Sequence, residues 1–217
     1  MSNLGPSSAL IDRLVSDLKP VRPGIIPWLL FGAVAICASP SLAVVVWLWG
    51  IRPDIATAPQ TAAFWAKEAF AATLALAGSA AMLGLARPDG KASGPLYVAL
   101  GAAAVMLVLA VLQLGANPPG LWGHLVVGKT AAVCPWLILL LALPIFAGAM
   151  AMMRSMAPTR LAVAGAAAGL AAGGLSALVY SVACDESTMP FVLIWYGAAV
   201  AATTLIGAIL GPHILRW

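Results

Sequence analysis

Leu137-Ile138-Leu139-Leu140-Leu141-Ala142-Leu143 is apolar at every position, and Val98 to Leu112 runs on without one polar side chain. A half-buried strand alternates polar and apolar residues, and a strand of a membrane barrel is about 9–11 residues long. Neither stretch alternates, and the second outruns any such strand. Both read as helices that are apolar all round, which suits lipid rather than water.

Working outward from these two stretches, breaks at Pro, Gly and charged clusters divide the chain into six apolar runs. They lie at about Pro27 to Trp49, Phe64 to Ala86, Leu96 to Leu114, Thr130 to Met153, Leu161 to Ala183 and Pro190 to Leu210. A span takes about 20 apolar residues, so each run is long enough to cross a bilayer as a helix. The expected class is all-α: a six-span transmembrane bundle over residues 25–217, preceded by a tail over residues 1–24. Pro40 and Pro144 fall inside runs, where a missing N–H is expected to kink the helix. The first run is long and follows a mostly polar tail, so it is expected to be a span and not a cleaved signal core.

Composition agrees with this reading. Of 217 residues, 63% are hydrophobic and 8% charged, against about a quarter charged in soluble domains. That excludes a disulfide scaffold, a disordered chain and a direct nucleic-acid binder with a basic face. The net charge of +4 reads as sidedness instead. With the N-terminus inside, eight of the eleven Lys and Arg residues fall on the cytoplasmic side, and only Arg52, Lys67 and Lys129 fall outside. Positive residues favour the cytoplasm, so both termini are expected there. Trp28, Trp47, Trp49, Trp65, Trp122, Trp195 and Trp217 cluster near span ends and read as interfacial anchors.

Few residues remain for chemistry. In the tail, Leu10, Ile11, Leu14, Val15 and Leu18 recur at helical spacing before Pro20. About ten residues are too few for a stable helix in water, so this stripe must lie on the bilayer or dock on a soluble partner. Cys134 and Cys184 fall at one depth on the outer side, where they can pair as a disulfide or hold a soft metal ion, with His124, Asp185 and Glu186 as auxiliary ligands. Cys37 reads as a packing residue. Lys67 and Glu68, at the outer end of the second run, read as headgroup anchors, and Gln113 and Lys129 likewise. Gly165, Gly169 and Gly173 form a small-residue stripe on which another helix can pack. No phosphate loop, Ser/His/Asp arrangement or HExxH motif occurs, so neither catalysis nor a resident cofactor is expected.

The ordered landmarks form a pattern. Arg52-Pro53-Asp54, Phe64-Trp65-Ala66-Lys67, Ala86-Arg87-Pro88, Cys134 with Leu141-Ala142-Leu143-Pro144, and Ala157-Pro158-Thr159-Arg160 come in sequence. Cys184-Asp185-Glu186-Ser187, Trp195-Tyr196-Gly197 and the ending Gly211-Pro212-His213-Ile214-Leu215-Arg216-Trp217 follow. This resembles the NrsF family of bacterial inner-membrane negative regulators across essentially the whole chain. The resemblance implies an anti-sigma factor that holds an extracytoplasmic-function sigma factor at the membrane until envelope, metal or redox stress releases it. It also implies that Cys134 and Cys184 are the responding thiols, and that Leu10, Ile11, Leu14 and Leu18 are candidates for the sigma-factor contact. A small-solute transporter or channel would instead need a polar path, and a membrane thiol oxidoreductase a CxxC and a quinone site; the sequence displays neither.

Overall fold

The structure, a computed structural model, describes residues 11–12, 15–16, 25–86, 92–156 and 158–216, without the side chains of 25–31 and 33–37. The described residues form helices joined by short turns. These are α1 (Ile25–Leu48), α2 (Ala62–Leu85), α3 (Ser93–Gly115), the short α4 (Trp122–Val127), α5 (Cys134–Ser155), α6 (Leu161–Ser181) and α7 (Met189–Ile214). Val192–Tyr196 forms a π-helical turn inside α7. Five helices, α2, α3, α5, α6 and α7, are long and apolar enough to cross a membrane. Along α1, the part from Ala38 to Leu48 is apolar among described residues. Leu10, Leu14, Leu18 and Trp217 lie outside the described residues, as do the side chains of Trp28 and Cys37. Ile11 and Val15 are helical and exposed.

The small residues of α6 decide the packing. A Cβ added at Gly165 would fall on the backbone of Gly207, one at Gly169 on Thr203, and one at Gly173 on the Thr203 hydroxyl. One face of α6 therefore meets α7 backbone to backbone. Its other face meets α2, where a Cβ at Gly174 would strike Ala75 and one at Gly78 would strike Ala171. Apolar side chains gain little by leaving lipid for a helix interface, so close backbone approach is what holds such helices together. The expected small-residue stripe thus serves packing within the bundle, with α6 at its centre.

Two ends result. At one, Leu85, Met153 and Leu215 bury together with Ala164. At the other, Phe70, Cys134, Tyr180, Cys184, Phe191 and Tyr196 share one cluster. Between α1 and α5 the two helix prolines line the same cleft, where the Ser41 hydroxyl donates to the Leu141 carbonyl at 3.0 Å. A local side-chain donor of this kind helps proline-bearing helices keep their backbone satisfied away from water.

Candidate functional site

The second end is organised by the segment from Val182 to Thr188, which joins α6 to α7 without regular structure. An irregular segment must find partners for its own backbone groups, and here those partners come from the rest of the chain. The Arg52 backbone N–H donates to the Val182 carbonyl at 3.0 Å, and Arg52 Nη2 to the Asp185 carbonyl at 3.2 Å. Lys67 Nζ on α2 donates to the carbonyls of Cys184 at 2.7 Å and Glu186 at 2.8 Å. Gln113 Oε1 on α3 accepts the Met189 N–H. Thr188 donates its hydroxyl proton to the Leu125 carbonyl of α4. Gly128, at positive φ of 55°, turns the chain so that the Lys129 N–H reaches Glu186 Oε1 at 2.7 Å.

Arg52 is itself fixed. Its Nε and Nη2 donate to the two Asp54 carboxylate oxygens at 2.6 and 2.7 Å, and its guanidinium lies 5.6 Å from the centre of the Phe64 ring. Those bonds from Arg52 hold the Asp54 carboxyl below the usual carboxylate range. A cleft of about 390 Å³ opens beside the segment, lined by Arg52, Asp54, Gln113, Asp185 and Ser187 among others.

Cys184 belongs to this tied segment, and Cys134 shares its buried cluster. Cys134, the first residue of α5, and Cys184 are both buried and both free thiols. They are direct electrostatic neighbours, with Tyr180, Tyr196 and Lys67 around them. Cys184 is lowered from its ordinary thiol pKa, first by the Cys134 thiol and then by the Lys67 ammonium, against the burial that raises it. Lys67 Nζ also stands 5.2 Å from the centre of the Tyr196 ring.

The structure therefore brings together the two thiols singled out in the sequence. Their expected auxiliary ligands are not gathered with them. His124 and Asp185 are exposed, and Glu186 spends one carboxylate oxygen on Lys129. Among the described residues no group of three or more His, Cys, Asp or Glu side chains converges on a metal-sized site.

Four expected anchors are corrected. Lys67 does not reach outward to a headgroup layer: it is 0% exposed, because the carbonyls of the α6–α7 segment offer its ammonium acceptors inside the protein. Its neighbour Glu68 accepts from the Ser181 hydroxyl at 3.0 Å. Gln113 caps α7, and Trp195 turns inward to donate its indole N–H to the Val126 carbonyl at 2.8 Å. Trp47, Trp49, Trp65 and Trp122 are exposed, as interfacial rings are.

Fold and site together describe an all-helical protein with membrane-length helices and, at one end, a buried, unbridged thiol pair of which one member belongs to a tied segment. Residues 14–217 match the family described as "NrsF: Negative regulator of sigma F". The chain is 36% identical over 168 residues to "Probable anti-sigma-F factor NrsF" of Azospira oryzae, covering 77% of this chain and 78% of that one. It is 34% identical over 213 residues to "Anti-sigma-F factor NrsF" of Caulobacter vibrioides, covering 96% and 98%. No solved structure matches it. The chain belongs to the NrsF family.

Proposed function

We propose that this chain is an anti-sigma factor of the bacterial inner membrane. It sequesters an extracytoplasmic-function sigma factor and releases it on envelope, metal or redox stress sensed at Cys134 and Cys184. The relatives' printed names support the anti-sigma role. In this reading α1 is the sixth span: its 24 residues make a helix of about 36 Å, enough for a hydrocarbon core of about 30 Å. Both termini are cytoplasmic, residues 25–217 form the membrane domain, and the tail over 1–24 presents Leu10, Ile11, Leu14 and Leu18 to the sigma factor.

One observation carries the sensing role: two free thiols, Cys134 opening α5 and Cys184 in the α6–α7 segment, are buried in one cluster, and that segment is tied to α2, α3, α4 and the turn after α1. Capture of a soft divalent ion displaces two thiol protons and puts both sulfurs on one centre. Reaction with one peroxide instead takes two electrons and two protons from the pair, forming one S–S bond and two waters. Either event pulls the start of α5 against the α6–α7 segment. The far end of α5 packs with Leu85 and Leu215, so movement there alters the cytoplasmic surface. A bias of about 2.7 kcal/mol turns a 1:10 population into 10:1, and only differential affinity for the two states supplies it. The test is the C134S/C184S double variant in cells carrying a sigma-dependent reporter. Repression kept and induction lost is the expected result; a normal response removes the thiols from the sensor.

A further inference from the structure

The end at which Leu85, Met153 and Leu215 pack together carries no part of the thiol site. There an apolar groove of about 290 Å³ runs along α6 beside the start of α3, walled by Leu96, Val163, Ala166 and Leu170. From Arg160 to Leu170 is ten positions, about 15 Å of helix, or half of a hydrocarbon core of about 30 Å. The groove is therefore one leaflet deep. Its end at the helix starts is polar: the Arg160 guanidinium and the Ser93 hydroxyl line it, and both residues are exposed. They stand where α6 and α3 begin, and neither start has a side-chain cap, so the first N–H groups of both helices are open to an outside acceptor. Charge at this end of the described bundle has one sign. Arg154 and Arg216, next to Met153 and Leu215, are exposed here, whereas Asp54, Glu68, Asp185 and Glu186 stand at the other end. Two further apolar clefts, between α5 and α7 and between α2 and α3, carry no charged side chain.

We propose that this groove is a binding site for an anionic phospholipid. The phosphate lies on Arg160 and the Ser93 hydroxyl, and one acyl chain lies along Leu96, Val163, Ala166 and Leu170. A guanidinium offers paired N–H donors to phosphate oxygens, and the uncapped starts of α3 and α6 favour the same negative group. Basic pockets between membrane helices take acidic headgroups in this way. The two clefts without a charged side chain hold acyl chains of any lipid equally, because nothing in them reads a headgroup. In the α6 groove, chain and headgroup are read together.

Native mass spectrometry of the full chain, titrated with phosphatidylglycerol and with phosphatidylcholine of the same acyl chains, tests the site. One basic side chain near a membrane surface is worth about fivefold in anionic-lipid affinity, so the first phosphatidylglycerol is expected to bind about fivefold more tightly than the first phosphatidylcholine. Arg160→Gln is expected to remove that preference and Arg160→Lys to keep most of it. Arg154→Gln takes an exposed charge from the same end without touching the groove, and is expected to leave the preference intact. Ala166→Leu fills the groove and is expected to lose the preference as well. Equal affinity for the two lipids in the native chain overturns the proposal. A preference kept in Arg160→Gln overturns it too, and one lost equally in Arg154→Gln makes it a general effect of surface charge. A preference unchanged in folded Ala166→Leu removes the acyl chain from the groove. A dimer that Ala166→Leu dissociates, with no lipid preference, assigns the groove to a second copy of the chain instead.

Discussion

Gln113 Oε1 accepts the backbone N–H of Met189 at 2.7 Å. The bond joins the last turn of α3 to the first residue of α7, where a helix N-terminus leaves donors without partners of their own. Gln113→Leu removes the acceptor at similar volume. A net hydrogen bond is worth about 1 kcal/mol, which for a chain of this size is a fall in Tm of about 2–4 °C. Gln113→Glu keeps an acceptor oxygen and is expected to lose less. Thermal melts in detergent decide it, and a Gln113→Leu chain that melts with the native protein removes the bond from the fold's energetics.

The Arg52 and Asp54 pair predicts an acid limb. Asp54 is held below its ordinary value by the bonds from Arg52. A carboxyl depressed in the folded state contributes stability that is complete above its unfolded pKa of about 3.9, and loses it as pH falls through the lower folded value. Tm is therefore expected to be insensitive to this pair from pH 7 to about 5 and to drop below about 4. In Asp54→Asn the drop is shallower. Parallel acid limbs in the two chains would contradict the assignment.

Backbone contact in the α6 seams predicts a contrast between glycines. Gly78→Ala and Gly165→Ala each put a methyl into a neighbouring backbone, which must move; overpacking of this kind costs about 1–3 kcal/mol. Gly101 on α3 has nothing within 4 Å of the added Cβ, so Gly101→Ala is expected to be neutral. Unfolding in mixed micelles ranks the three. Equal losses at Gly78 and Gly101 would refute the seam.

The all-helical class and the bounds of the five long apolar helices were legible because apolar runs of that length admit one solution. The cysteine pairing was half legible: depth along the spans set Cys134 level with Cys184, but azimuth around each helix did not follow from runs that are apolar on every face. Lys67 was misread for the same reason. A lysine near a span end reads as an anchor when only depth is considered. Its spacing to Phe70, Leu74 and Gly78 puts it on the buried face of α2, a signal the sequence did contain. The ties from Gln113 and Trp195 had none, since each reaches a backbone atom more than sixty positions away.

Ile11 and Val15 are helical and largely exposed, at 57% and 59%. Leu10, Leu14 and Leu18 continue their spacing in sequence, and Arg13 is offset by Asp12 and Asp17. A helix that binds anionic lipid needs several basic residues on its polar face, and this one is nearly neutral. The apolar stripe is then better suited to a groove on a protein. Deleting residues 8–18 is expected to abolish co-purification of the sigma factor and to raise reporter expression without stress, while the truncated chain still reaches the membrane. Leu14→Asp is expected to do the same with one residue changed. Unchanged co-purification in both would move the sigma-factor contact to another part of the chain, such as the turn between Arg154 and Arg160.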